Sequence, residues 1–204
     1  MRDNCGWLPI HDLCCNQIDL DEDISLEILQ FMLDVDSSLP RERVEGEEHY
    51  LPIHYAVEGM STSFCKVLLY AYPASIGIVS DNGSMPIHEA CSNGERHDTV
   101  DTIQHLLDLY PEIISARDED DWLPIHCAAM NESKRRTDIV KLLLKYDPDA
   151  ASKRTESKKR KPLHIASENG HLGATKVLYD AYHKPSFIVI KTGRHQLHLQ
   201  KEVV

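Results

Sequence analysis

Long apolar runs are missing from this sequence, and their absence limits what the chain can be. A stretch such as residues 187–190 covers only four residues, whereas a membrane-spanning helix needs about 20. Residues 1–5 are not followed by the apolar region and small-residue cleavage site of a secretory signal. We therefore expect no membrane span and an intracellular, cytoplasmic protein.

Closely paired cysteine motifs are also absent. The chain has six cysteines and no Cys-x-x-Cys pair. With 204 residues, 42% of them hydrophobic, it can build a core without disulfides. We therefore expect reduced thiols at Cys5, Cys14, Cys15, Cys65, Cys91 and Cys127.

Basic residues are scarce in the first part of the chain. Residues 1–121 carry 6 basic and 25 acidic side chains, while residues 122–204 carry 16 basic and 8 acidic ones. Such polarity can steer a partner toward one end of a molecule. It can equally serve solubility alone.

One tetrapeptide is abundant, and it organises the chain. It reads LPIH at residues 8–11, 51–54 and 123–126, MPIH at 85–88 and KPLH at 161–164, and a decayed copy is HQLH at 195–198. Successive final histidines are 43, 34, 38, 38 and 34 residues apart. The five clear copies contribute Pro9, His11, Pro52, His54, Pro86, His88, Pro124, His126, Pro162 and His164.

Proline marks the helix boundaries within each repeat. In the tetrapeptide it suits the first turn of a helix, where its missing N–H would have no partner. A second helix follows each first one, and Tyr72-Pro73, Tyr110-Pro111 and Asp147-Pro148 mark where second helices end. Turn residues such as those at 80–84 then predict a hairpin-like finger before the next copy.

The repeat unit resembles the ankyrin repeat. The clearest match is residues 161–172, KPLHIASENGHL, followed by Val177-Leu178. The resemblance implies an all-α, ankyrin-type helical repeat solenoid with short hairpin-like fingers. The family's helix-capping threonine is replaced by Leu, Met or Lys, which predicts a weaker cap by on the order of 1 kcal/mol.

The expected organisation is a single array over residues 1–204. Extra residues near 19–23, 95–98 and 132–136 predict insertions in the turn that joins the two helices of a repeat. The chain starts within a finger and stops just past an opening, so we expect a fragment of a longer array. The approximate repeats are 1–42, 43–79, 80–117, 118–153 and 154–190, with 191–204 as a partial sixth repeat or tail.

Histidine and cysteine invite a chemical interpretation that their spacing argues against. Successive motif histidines lie one repeat apart, roughly 10 Å for packed helices, whereas zinc ligands sit about 2 Å from one ion. In the ankyrin resemblance this histidine bonds the loop backbone. His11 with Cys14, and His88 with Cys91, could touch, but nothing implies the lowered pKa, third group and pocket of a thiol nucleophile. We expect no enzyme, no metal and no cofactor.

Two charge clusters need separate interpretations. The acidic run at 118–121 lacks the glycine and distal Glu of a calcium loop, so we expect a solvated finger tip. The basic cluster at 153–161 holds six cations. A solvated loop, a contact for an acidic protein, a nuclear-import address and a nucleic-acid patch all stay open for it, although no aromatic residue for base stacking lies within it.

The strongest interaction signal is the finger position two residues before each motif proline. Both tryptophans of the chain stand there, and Trp, Tyr and Arg are enriched in binding hot spots. The alternative is that these side chains pack on the neighbouring finger. The position holds Trp7, Tyr50, Ser84, Trp122 and Arg160. By resemblance it lies on the concave side, with the first-helix ends at Glu58, Ser92, Met130, Asn131, Glu168 and Asn169.

We therefore predict a monomeric protein-interaction module, a scaffold or adaptor, that holds an unidentified protein partner on its fingers and concave surface. A regulatory fragment of a larger protein is the alternative. A Cys/His-dependent enzyme and a nucleic-acid binder using residues 153–161 are weaker ones.

Overall fold

The structure is a computed structural model that describes residues 2–4, 6–15, 21–45, 49–94 and 96–183. Within these ranges the chain forms ten α-helices and no β-strand. A first helix of 7 or 8 residues is each time followed by a second helix of 10 to 14 residues. The pairs are α1 Pro9–Cys15 with α2 Glu22–Val35, α3 Pro52–Gly59 with α4 Thr62–Ala71, α5 Pro86–Asn93 with α6 Thr99–Leu109, α7 Pro124–Met130 with α8 Arg136–Tyr146, and α9 Pro162–Glu168 with α10 Leu172–His183.

The helix pairs stack on one another along the chain. First helices contact each other in the order α1, α3, α5, α7, α9, and second helices do so from α2 to α10. The core between these layers contains Ile10, Ile53, Ile87 and Ile125, each 0–2% exposed. One pair could not bury its own apolar side, so stacking is required. The predicted helical solenoid is confirmed, whereas the expected partial sixth repeat, 191–204, lies outside the described residues.

The motif proline is the first residue of every first helix, as predicted. The preceding residue, such as Leu51, has no side-chain oxygen with which to cap the helix, and its side chain makes no cap bond in α3, α5, α7 or α9. The motif histidine supplies the other half of the capping box. Its Nδ1 accepts the N–H of that residue at 3.0 to 3.2 Å in all five copies. The bond that a threonine oxygen would accept from the third helical residue is missing, so the histidine bond stands alone at the helix start.

The second ring nitrogen of the same histidine contacts the chain just before the next finger. Nε2 of His11 lies 3.0 Å from the carbonyl oxygen of Glu42, and Nε2 of His54 lies 3.2 Å from that of Ile78. His88 repeats the contact with Ala116 at 3.2 Å. Because Nδ1 accepts a hydrogen bond, Nε2 must carry the ring proton and donate, which fixes the neutral tautomer. Nε2 of His126 is buried with no hydrogen-bond partner among the described residues.

Second helices end at the predicted prolines. The cap residues Tyr72, Tyr110 and Asp147 have extended φ angles between −135° and −145°. The proline that follows begins a 3-10 helix of five residues, Pro73–Gly77, Pro111–Ser115 or Pro148–Ser152. A fixed φ at proline favours this tight continuation. The chain thus leaves each second helix along a defined path to the next finger.

The fingers are tight turns without strand pairing. One backbone hydrogen bond of 2.8 to 3.0 Å closes each finger, with the N–H of Asp3, Val44, Ser80, Asp118 or Thr155 donating to the carbonyl of Trp7, Tyr50, Ser84, Trp122 or Arg160, respectively. The residue just before each acceptor has a positive φ, from 45° to 78°: Gly6, His49, Gly83, Asp121 and Lys159. A left-handed residue at this place reverses the chain.

Neighbouring fingers touch through their main chains. The N–H of Glu119 donates to the carbonyl of Asn82 at 3.0 Å. A Cβ at Gly83 would lie 2.6 Å from the Glu119 nitrogen. Glycine is needed there both for its positive φ of 73° and for this close approach.

Gly83→Ala should therefore destabilise the fold more than Gly170→Ala. Both glycines have a positive φ, of 73° and 71°, so each change adds left-handed strain of about 1–2 kcal/mol. A Cβ at Gly170 meets nothing within 4 Å, whereas at Gly83 it must displace the next finger, which costs about 1–3 kcal/mol more. Urea denaturation of both variants measures the difference, and equal losses would contradict the finger contact.

The buried histidines should make stability depend on pH. Burial is the main cause that lowers the pKa of His54 and His126 to about 4, and it also lowers the pKa of His11 and His88. In the unfolded chain the histidine pKa is about 6.5. Below that pH the histidines of the unfolded chain bind protons, whereas the buried histidines of the folded chain stay neutral. For His54 and His126, the free energy of unfolding should then fall as the pH falls, by about 1.4 kcal/mol per unit for each histidine, down to about pH 4.

Urea denaturation of His54→Gln against the exposed control His97→Gln checks this expectation. At about pH 7.5 the His54 variant should lose about 1–3 kcal/mol, because its bonds to Leu51 and Ile78 are changed. Its deficit relative to wild type should shrink by about 1 kcal/mol near pH 5.5. A deficit that does not change with pH would show that His54 is not the titrating group.

Candidate functional site

Two contacts join the finger position to the first helices. Trp7 lies against Tyr55 of α3, with ring centroids 4.9 Å apart. Arg160 pairs with Glu168 at the end of α9. Residues far apart along the repeat are thus brought together, and we call this surface, made of the fingers and the ends of the first helices, the finger face.

Two members of the predicted row are buried in the described structure. Tyr50 is 6% exposed and Ser84 is 7% exposed. The Tyr50 ring stacks on His54 at 5.1 Å, and its hydroxyl donates to Glu89 at 2.8 Å and accepts from Asn82 at 3.3 Å. Tyr50 therefore joins its own finger to the next repeat instead of offering contact area.

Trp7 and Trp122 are the partly accessible aromatics of the row. The Trp122 ring lies 6.3 Å from the His126 ring, and the main-chain N–H of Trp122 donates to the Asp118 carboxylate at 2.7 Å. Arg160 is half-buried in the next finger. Trp122 and Arg160 lie on adjacent fingers, whereas Trp7 lies three fingers before Trp122.

The first-helix ends differ in what they present. Met130 is 44% exposed and Glu168 is exposed, while Glu58 is half-buried. Asn131 is only 3% exposed, because its amide donates to the Cys91 carbonyl at 2.8 Å and its oxygen accepts the Ser133 N–H at 2.6 Å. Asn131 therefore supports the loop from inside.

The predicted inter-helix insertions contact the preceding repeat. Between α5 and α6, the Asp98 carboxylate accepts the Thr62 N–H at 2.7 Å, at the start of α4. Thr62 Oγ1 also donates to the Asp98 carbonyl at 3.1 Å. A carboxylate at a helix N-terminus is stabilising. This insertion is therefore a structural link between repeats, which its sequence did not reveal.

The thiols and carboxylates of the described residues are arranged for packing. Burial raises the pKa of Cys65 and of Cys127 to about 12, and it raises the pKa of Cys14 and Cys91 well above the ordinary value. These thiols are protonated at neutral pH, unlike a thiolate nucleophile. In the described part of the chain, no group of three or more His, Cys, Asp or Glu side chains is placed to hold a metal ion.

A second surface was missed from the sequence. The second helices α4 and α6, with Pro73 and neighbouring residues, line a groove of about 970 Å³. Tyr70 is 90%, Leu109 55% and Tyr110 44% exposed along it. The one sequence signal for this groove was the apolar residues next to the Tyr-Pro stops.

No helix in the described ranges has both the length and the apolar composition for crossing a membrane.

Comparisons with known proteins agree with the repeat geometry. The family model described as ankyrin repeats matches residues 53–153 and 88–191, with three copies. The human Transient receptor potential cation channel subfamily A member 1 is 27% identical over 137 residues, which cover 63% of this chain and 11% of that protein. The chain thus spans about a tenth of the length of this curated relative.

Buried cysteines should resist thiol reagents in the folded protein. Cys14, Cys65, Cys91 and Cys127 are 0–4% exposed, so we expect alkylation about a hundredfold slower in buffer than in urea. The half-buried Cys15 serves as the internal control. Site-by-site mass spectrometry after iodoacetamide gives the rates. Fast native labelling of Cys91 or Cys127 would favour the thiol-enzyme alternative.

Proposed function

Because the chain belongs to the ankyrin-repeat family, we propose that it is a protein-interaction module that holds a macromolecular partner on its finger face. Ankyrin repeats serve generally as protein-protein interaction modules. The observation that carries the proposal is that partly accessible side chains occupy the same finger position in the first, fourth and fifth repeats, where Trp7, Trp122 and Arg160 stand. Specificity would come from these anchors and from the opposed charges of the two parts of the chain.

The contact set is narrower than the predicted row. Trp7, Trp122 and Met130 combine accessible apolar area with a support fixed by packing. Such rigid aromatic anchors lose little side-chain freedom on binding. Arg160, Glu168 and Glu58 add charge around them. Tyr50, Ser84 and Asn131 support the finger face from below, since each is under 10% exposed.

The rigidity of the face favours binding over chemistry. Neighbouring fingers are joined by main-chain hydrogen bonds such as Glu119 to Asn82 at 3.0 Å. In the first three repeats, a buried histidine ties the first helix to the chain just before the next finger. A preorganised surface reduces the entropy lost when a partner docks.

A regulatory segment of a larger protein is the second candidate. It is favoured by the relative, of which the matched residues make up only 11%. In that case any activity would be encoded in other parts of the larger protein, and the finger face would serve to recruit or restrain it.

Truncating both tryptophans should weaken partner capture. In a pull-down, Trp7→Ala/Trp122→Ala should recover at least about tenfold less partner, since hot-spot truncations cost about 2 kcal/mol or more. Tyr70→Ala is the matched control, because it removes a 90% exposed aromatic from the groove on the other face. Met130→Ala tests the same face at an exposed position whose loss should leave the core intact.

Circular dichroism and urea midpoints must accompany the pull-down. Loss of capture with a retained fold supports the finger face. Capture that survives both finger-face variants but is lost in Tyr70→Ala would place the partner in the α4–α6 groove and would sink the proposal.

A further inference from the structure

The fourth and fifth fingers meet where the charge of the chain changes sign. The acidic part ends at Asp121 and the basic part begins at Trp122. Between the two fingers lies a cavity of about 110 Å³. We call it the Trp122 slot. Its lining includes Trp122, Thr155 and Ser157, with Asp120 on the fourth finger and Lys158 and Arg160 on the fifth.

The walls of the slot are held in place by groups of both fingers. The Glu156 N–H donates to the Asp121 carboxylate. The Arg117 guanidinium pairs with that carboxylate at 2.9 Å and reaches the Arg154 carbonyl at 3.4 Å. On the fifth finger, the Arg160 N–H donates to Thr155 Oγ1 at 3.1 Å. Asp121 is thus occupied with joining the fingers, and so is Arg117.

Four other charges lie in the turns of these two fingers. Glu119 and Asp120 on the fourth finger, and Lys158 and Lys159 on the fifth, are exposed. Asp120 and Lys158 line the slot. None of the four makes an ion pair within the described ranges. Opposite charges therefore face solvent on adjacent fingers without neutralising each other.

Three other cations of the basic cluster are already engaged. Lys153 pairs with Asp147 at 2.6 Å, and Arg160 pairs with Glu168. Lys161 is 9% exposed, and its ammonium lies 3.6 Å from the centre of the Tyr182 ring. The other three cations, Arg154, Lys158 and Lys159, are exposed and make no ion pair within the described ranges, and Lys158 lines the slot.

The size of the slot limits what can enter it. Small-molecule pockets measure about 300–1,000 Å³, whereas 110 Å³ is the liquid volume of about four water molecules at about 30 Å³ each. The end of one side chain fits. The phosphates of a nucleic acid would be attracted to the lysines of the fifth finger but repelled by Glu119 and Asp120 of the fourth. A uniformly negative ligand therefore matches only one of the two fingers.

On the basis of the proposed interaction function, we propose that the Trp122 slot binds a dipolar segment of a protein partner. A carboxylate side chain of the segment pairs with Lys158 and Lys159. A cationic side chain on its other side pairs with Glu119 and Asp120 and lies along the Trp122 ring. The change from acidic residues on the fourth finger to basic residues on the fifth thereby sets the register in which the partner crosses the fingers.

Two synthetic peptides of identical composition test this proposal on the full chain. Each has about sixteen residues, enough in extended form to cross neighbouring fingers at about 3.3 Å per residue. The block peptide has its lysines in one half and its glutamates in the other, with leucine at the junction; the alternating peptide mixes the two charges. Fluorescence anisotropy at moderate salt should give about tenfold tighter binding of the block peptide. A single-stranded oligonucleotide of similar length is the third probe.

Charge reversal on each wall supplies matched variants. Lys158→Glu/Lys159→Glu, or Glu119→Lys/Asp120→Lys, should each weaken block-peptide binding about tenfold. Combining all four changes should restore it, because the peptide can bind in the opposite direction. These exposed positions lie outside the core, and urea midpoints should confirm an unchanged fold.

Equal affinity for the block and alternating peptides would overturn the proposal, as would tighter binding of the oligonucleotide or a failure of the combined variant to recover. Partner capture that still depends on Trp7 and Trp122 would then show that only the chemistry assigned to the slot is wrong, while the interaction function stands.

Discussion

The neutral imidazole of the repeated Pro-Ile/Leu-His motif is the interaction on which the array depends. One nitrogen accepts the N–H at the start of its own helix, and in the first three repeats the other lies 3.0 to 3.2 Å from a carbonyl just before the next finger. A lysine could not replace it, since it cannot accept, and a threonine would reach only the local cap. Because these three rings are buried, each holds its first helix to the approach of the next finger only while it carries no charge.

This anchoring explains why the side chains of the finger face have different roles. The histidines and the left-handed residues before each finger acceptor fix the backbone, so the acceptor side chains are free to vary without unfolding the repeat. Tyr50 and Ser84 are used for packing, whereas Trp7 and Trp122 keep accessible area. A partner would therefore contact the finger position unevenly, because buried positions separate its aromatic anchors.

Much of the fold could be predicted because proline acts locally. Its fixed φ and missing N–H mark where helices begin and end whatever surrounds them, as at Pro86 and Pro111. The roles that depend on neighbouring repeats could not be predicted in the same way. The burial of Tyr50 follows from Asn82 and Glu89, more than 30 residues away. The α4–α6 groove arises between repeats, where the same apolar spacing that builds a core leaves Tyr70 uncovered. The role of the predicted partner contacts stays a prediction.

The histidine bond gives each of the first three repeats a junction that acid can open. It joins the start of a first helix to the carbonyl just before the next finger. Protonation would put a second N–H on the ring, at Nδ1, facing the N–H that this nitrogen now accepts. The helix start and the approach to the next finger would then loosen together, so mild acid should open the array locally at several junctions and not only at its ends.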